Sequence, residues 1–150
     1  MKKLVIVGHG TGGTIIATKM RQILPEREWE ITVIDKDWEH HYQPGWLFIP
    51  FGIYTREDCV KPRTKFVPAG VNFVMDDIVA IDPEKKQVKT KQDTFPYDWL
   101  VVATGCRIAP EEVETALELL SARGLFISTH CDSEEQARAL LRHAEKWSHD

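Results

Sequence analysis

Six consecutive residues, Gly8-His9-Gly10-Thr11-Gly12-Gly13, satisfy the spacing glycine, x, glycine, x, x, glycine and stand between an apolar run and a helical periodicity. Each glycine has a chemical purpose in a phosphate-binding turn. Gly8 permits the tight bend, Gly10 lets backbone approach a diphosphate with no Cβ in the way, and Gly13 lets the next helix lie close to the preceding strand. Thr11 and Gly12 complete the turn, so that diphosphate charge would meet free N–H groups at the positive end of a helix. Asp35 follows 22 residues after Gly13, close to the spacing of about 20 at which a carboxylate reaches ribose hydroxyls. A negative charge there repels a 2′-phosphate, which disfavours NADP and leaves FAD and NAD both open. Lys36 is grouped with the site; the plain alternative is that Asp35 is a solvated strand-end carboxylate with Lys36 as its neighbour. His9 reads as a spacer in the turn.

Few other residues offer chemistry. Cys59, Cys106 and Cys131 are too few and too widely spaced for a disulfide framework or a zinc knuckle, so any thiol chemistry must be specific to one site. Cys59 lies in a charged stretch and is assigned no role. His40-His41 and His130 have no carboxylate or cysteine at a recognisable ligand spacing, so no metal is expected.

The elements that must position the turn follow from periodicity. Lys3 to Val7 is a short β-branched run suited to a strand buried on both faces of a parallel sheet. Ile16, Ala17, Met20, Ile23 and Leu24 recur at three and four, and Pro25 closes the run, which predicts a helix over residues 11–24. Residues 31–35 return to strand character, completing one βαβ unit. Residues 38–70 are punctuated by prolines and glycines and read as a long excursion. Residues 72–75, 78–81, 87–90 and 95–97 predict short strands in an antiparallel meander, with turns at Asp82-Pro83 and Gln92-Asp93. Residues 100–103 read as a buried strand rejoining the main sheet. Beyond Pro110 a stripe at Val113, Ala116, Leu117 and Leu120 predicts a helix, residues 125–129 a strand, and residues after Asp132 or Ser133 a last helix. The expected fold class is α/β, a parallel sheet with helices and a small inserted antiparallel meander.

Composition fits this reading. The 150 residues are 43% hydrophobic and 28% charged, enough for one globular domain with a real core. A net charge of -4 with scattered Lys and Arg offers no basic stripe to nucleic acid or anionic lipid. The longest apolar stretch, Trp46 to Ile53, is broken by Pro50 and Gly52 and is far short of the roughly 20 residues of a bilayer crossing. Met1-Lys2-Lys3 begins like a signal sequence, but glycines intervene after Val7 and no cleavage site follows. The expected location is the cytoplasm, with peripheral attachment at the inner face of the membrane left open.

The run Tyr97-Asp98-Trp99-Leu100-Val101-Val102-Ala103-Thr104-Gly105 resembles a segment of the FAD-dependent pyridine nucleotide-disulfide oxidoreductase superfamily. Within it, the stretch from His41 to Pro50 and that from Asp76 to Pro83 are most similar to the sulfide:quinone oxidoreductases and the related type II NADH dehydrogenases. The resemblance implies a Rossmann-like fold with FAD as cofactor. It implies diphosphate at Gly8, Gly10 and Gly13, ribose at Asp35, and adenine near the backbone of Ile78. Thr104 and Gly105 match a turn approaching the flavin diphosphate, and Pro44 to Trp46 a loop bordering the isoalloxazine. For Trp46 and Phe48, ordinary core packing is an equal alternative. Cys131 resembles a cysteine that some members place beside the flavin just before a helix, where the helix end would favour its thiolate.

Members of that family are much longer than this chain. The resemblance therefore implies that residues 1–150 are an N-terminal FAD-binding domain, incomplete relative to the family. A second chain or a C-terminal half would complete the FAD site, and membrane-surface association would come only through such C-terminal elements. The implied function is the FAD-binding portion of a sulfide:quinone oxidoreductase-like flavoprotein, passing electrons from sulfide through FAD to quinone and inactive alone. A type II NADH dehydrogenase-like flavoprotein and a non-catalytic dinucleotide-binding module are the alternatives.

Overall fold

The computed structural model describes residues 1–106. They fall into two units, one built from Met1–His40 with Lys61–Gly105 and another that takes in His41–Val60. The predicted elements beyond residue 106, together with His130 and Cys131, lie outside the described residues.

The larger unit is organised by a parallel sheet of β1 (Lys2–Val7), β2 (Trp29–Asp35), β5 (Asn72–Met75) and β9 (Trp99–Val102), in the order β5-β2-β1-β9. β1 pairs with β2 from Lys2↔Trp29 to Val7↔Ile34, and with β9 from Leu4↔Trp99 to Val7↔Val102. Alternation along each strand sends side chains to opposite faces, and both faces are covered. On one side Leu4, Ile6, Ile31 and Val33 bury against Ala17 of α1 (Thr11–Ile23), with Ile16, Met20, Phe73 and Val101 around them. On the other, Val5, Val7 and Ile34 bury against Val88, with Val74, Ile78, Phe95 and Leu100 packed in.

That second cover is the antiparallel meander of β6 (Ile78–Asp82), β7 (Gln87–Thr90) and β8 (Thr94–Pro96). β6 pairs with β7 through Ile81↔Val88 with an irregularity between Ile78 and Ala80, and β7 pairs with β8 through Val88↔Phe95. Its turns are set by local chemistry: the Lys85 amide donates to Asp82, and the Asp93 amide to the Thr90 hydroxyl. One expected strand changes place. Residues 72–75 were expected in the meander, but β5 pairs with β2 in parallel, Thr32↔Asn72 to Asp35↔Met75. Phe73 faces the helix layer and Val74 the meander layer, so both need the doubly covered sheet.

Between β2 and β5 run β3 (Glu39–His41), α2 (Gln43–Trp46), α3 (Arg56–Cys59), β4 (Val60–Pro62) and a 3-10 turn (Arg63–Phe66), with β3 and β4 forming a two-stranded sheet. Inside the smaller unit Trp46, Cys59 and Val60 make a separate core joined by Ile49. A Cβ on Gly45 would come 2.5 Å from the Cys59 sulfur, so only glycine lets these helices meet. Thr55 and Asp58 cap α3 reciprocally. No helix among the described residues is long and apolar enough to cross a membrane.

Candidate functional site

In the parallel sheet the chain runs outward from β1 to β2 and β5 on one side and returns to β9 on the other. The order reverses between β1 and β9, and a crevice forms beyond the strand ends at such a reversal. Gly8 leaves the end of β1 there, and Thr104-Gly105 leave the end of β9.

The two turns touch through backbone. Gly8 has φ +96°, a conformation that L side chains rarely adopt, and a Cβ on it would collide with the Ala103 carbonyl. The Ala103 amide donates to the Val7 carbonyl at 2.7 Å, which brings the second turn alongside. Gly13 is packed as tightly, since a Cβ there would strike the Gly8 carbonyl. Gly10 differs: a Cβ would meet nothing within 4 Å. Gly10 is also the N-cap of α1, and it supplies no capping side chain; the first turn of the helix contains no acid. The first helical amides, with Thr11 and Gly12 exposed beside them, therefore have no acceptor from the helix itself. Two glycines are consumed by packing and the third faces open space at an uncapped positive helix end.

Asp35 ends β2 next to this turn. Its Oδ2 accepts from the His9 amide at 2.6 Å and its Oδ1 from the Asp37 amide at 3.0 Å. Its charge partner is not Lys36, whose side chain is exposed, but Arg63, with Nη1 at 3.3 Å from Oδ2. Both side chains of that pair are only 10% exposed. Arg63 also donates to the His9 carbonyl and faces Asp37 at 3.7 Å, while its Nε is buried without an acceptor. The sequence gives no sign of this residue's importance, because Lys61-Pro62-Arg63 reads as an ordinary surface charge. Asp37, the second carboxylate, went unread for the same reason.

His9 is not a mere spacer. Its side chain is fully buried against Phe73, ring centroids 5.3 Å apart, and neither ring nitrogen has a well-formed hydrogen bond. Burial, and then the Arg63 charge, hold its pKa below the usual value, with Asp35 and the Phe66 backbone opposing.

Ile78 begins β6 close by in the fold, since the Asp76 amide donates to the Asp35 carbonyl at 3.0 Å. The structure thus brings Gly8, Gly10, Thr11, Gly12, Gly13, Asp35, Thr104 and Gly105 to one end of one sheet. Pro44 belongs to the smaller unit, where it is exposed at the start of α2. In that unit Trp46 is core, stacked on His41 at 5.9 Å, whereas Phe48 is exposed beside Tyr54. Cys59 is a buried core thiol and Cys106 an exposed one. Among the described residues no group of acids, histidines and cysteines is placed to hold a metal ion.

The family model described as pyridine nucleotide-disulphide oxidoreductase matches residues 2–144. The mitochondrial sulfide:quinone oxidoreductase of Dictyostelium discoideum is 33% identical over 141 residues, covering 93% of this chain and 31% of that protein. A type II NADH:quinone oxidoreductase of Staphylococcus aureus is 36% identical over 106 residues, 69% of this chain and 26% of that one. The solved sulfide:quinone oxidoreductase of Aquifex aeolicus superposes with a TM-score of 0.63 at 25% identity, covering 81% of this chain and 33% of its own. The chain spans less than a third of the length of these two curated relatives.

Proposed function

The chain belongs to the pyridine nucleotide-disulphide oxidoreductase family, a family of FAD-binding flavoproteins, and from that premise we propose that it holds FAD by the adenosine diphosphate half. The observation that carries this reading is the contrast among the glycines. Gly8 and Gly13 are closed by backbone, while Gly10 faces open space at the uncapped start of α1. A diphosphate suits that space in charge, since the helix start offers N–H groups with no capping acceptor. In this reading the amides of Thr11, Gly12 and Gly13 neutralise the diphosphate and Asp35 takes the ribose hydroxyls. The backbone near Ile78 borders adenine, and Thr104-Gly105 approach the diphosphate from β9. Lys36, exposed beside Asp35, lies at the rim.

The chemistry FAD supplies when bound is two-electron transfer between a donor and an acceptor. Residues 1–150 act as an FAD-binding part of a sulfide:quinone oxidoreductase-like enzyme, a reading supported by the match over 93% of the chain to a protein of that name. Its completion requires a second chain or a C-terminal half, and without it the chain binds but does not turn over. Cys131 is the proposed redox thiol. The second reading, an NADH-oxidising flavoprotein, is favoured by the 36% identity to the type II enzyme over 106 residues.

The test is made in two stages. The purified chain is titrated with FAD and with ADP, and failure of both to bind a folded chain would falsify the cofactor reading. The chain completed by its partner segment is then exposed anaerobically to sulfide or to NADH. Flavin bleaching by sulfide, lost in Cys131→Ser, supports the first function; bleaching by NADH alone supports the second. No bleaching by either leaves a binding module without turnover.

A further inference from the structure

One guanidinium holds together the parts of this site that the chain sequence keeps apart. The backbone of His9, between Gly8 and Gly10, is gripped on both sides of its Cα: its N–H donates to Asp35 Oδ2 and its carbonyl accepts from Arg63 Nη1. Arg63 Nη1 closes the triangle on Asp35 Oδ2, and Nη2 reaches Asp37. Arg63 is buried, 54 residues from His9 along the chain, and leads the 3-10 turn that returns from the excursion. Such a fork engages a carboxylate and a carbonyl in fixed relative directions, which a lysine cannot reproduce.

We propose that Arg63 is the positioning residue of the ribose-binding carboxylate, fixing the direction in which Asp35 presents its free lone pair. The proposal rests on the cofactor reading above and adds a residue that neither the motif nor the spacing supplies. The physical need is clear. A lone buried carboxylate beside a diphosphate site would repel the ligand it serves and would turn freely about its χ angles. Arg63 offsets the carboxylate's charge, and with three partners already in place Asp35 keeps lone-pair capacity in one direction only. Arg63, shared between Asp35 and Asp37, is likewise not free to attract a 2′-phosphate.

The experiment uses the full 150-residue chain with ADP and 2′,3′-dideoxy-ADP as probes, binding measured by calorimetry. The parent chain should prefer ADP by about tenfold, the worth of one charge-assisted hydrogen bond. Arg63→Gln should erase that preference, weakening ADP by about tenfold while leaving the dideoxy probe within about twofold. The double variant with Asp35→Asn should be no weaker than Asp35→Asn alone, because the arginine acts through the acid. Equal loss for both probes, additive losses, or unchanged ADP affinity in folded Arg63→Gln would each overturn the proposal. If Arg63→Gln does not fold, Arg63→Lys decides on the same preference, since it keeps the charge and loses the fork. A parent chain that binds neither probe nor FAD removes the cofactor reading itself; a parent that binds ADP with an unchanged preference in the variant removes only the role of Arg63.

Discussion

Gly10 and Gly13 stand three positions apart in one turn, yet replacing them should fail in different ways. Gly10 has φ −73° and open space around its missing Cβ, so Gly10→Val should melt within about 2 °C of the parent and lose FAD and ADP below detection. Gly13→Ala drives a Cβ into the Gly8 carbonyl, a backbone atom fixed by β1, and should cost about 2–3 kcal/mol of stability. A melting curve beside a titration separates the two. His9 adds a pH dependence. Because burial and Arg63 depress its folded pKa below 6.5, the unfolded chain takes up the proton first. The stability it confers is whole above about pH 6.5 and drains away as pH falls toward the depressed value, at no more than about 1.4 kcal/mol per pH unit. His9→Leu should flatten that part of a melting-temperature profile; matching profiles would remove His9 as its source. The glycines were legible because a phosphate-binding turn dictates residue type at each step. Arg63 was not, since nothing local marks a cation whose partners lie at residues 9, 35 and 37.

At the scale of elements, α1 begins without a cap and without an acid, an arrangement that leaves stability unclaimed. Thr11→Asp should therefore stabilise the chain by about 0.3–1 kcal/mol through the helix dipole. The same charge should weaken diphosphate binding, so thermal denaturation and ADP titration should move in opposite directions; joint improvement would argue against phosphate at that helix end. The first strand, helix and strand could be read to within a residue or two, because burial on both faces and a 3.6 period leave strong patterns. The excursion could not. Its elements are three or four residues long, too short for a period to show, and α3 is charged at Arg56, Glu57 and Asp58 with only Cys59 turned to the core. The displaced strand at residues 72–75 was misread because four residues next to a meander carry no mark of parallel or antiparallel pairing.

The larger unit as a whole depends on β1, which lies inside the sheet between β2 and β9. Removing β9 would bare one edge of β1 and separate Gly8 from the Ala103 carbonyl it rests against. A chain ending at Pro96 should accordingly lose cooperative melting and ADP binding together. Retention of both would mean that the turn at Thr104-Gly105 contributes nothing to the site. At this scale the α/β class and the inserted meander were readable, since apolar runs of different length distinguish the buried sheet from its cover. The division that sets His41–Val60 apart as a second unit was not, because its small core joins residues from opposite ends of an apparently unstructured stretch.

The reciprocal bonds between Lys3 and Asp98, 95 positions apart, set a schedule for biosynthesis. At about 5–20 residues per second, a ribosome needs roughly 5–20 s after making the first strand before its second neighbour exists. Throughout that interval the nascent chain carries an apolar ribbon with one row of amides and carbonyls unanswered, a natural target for a holding chaperone and for misassembly with a neighbouring polysome product.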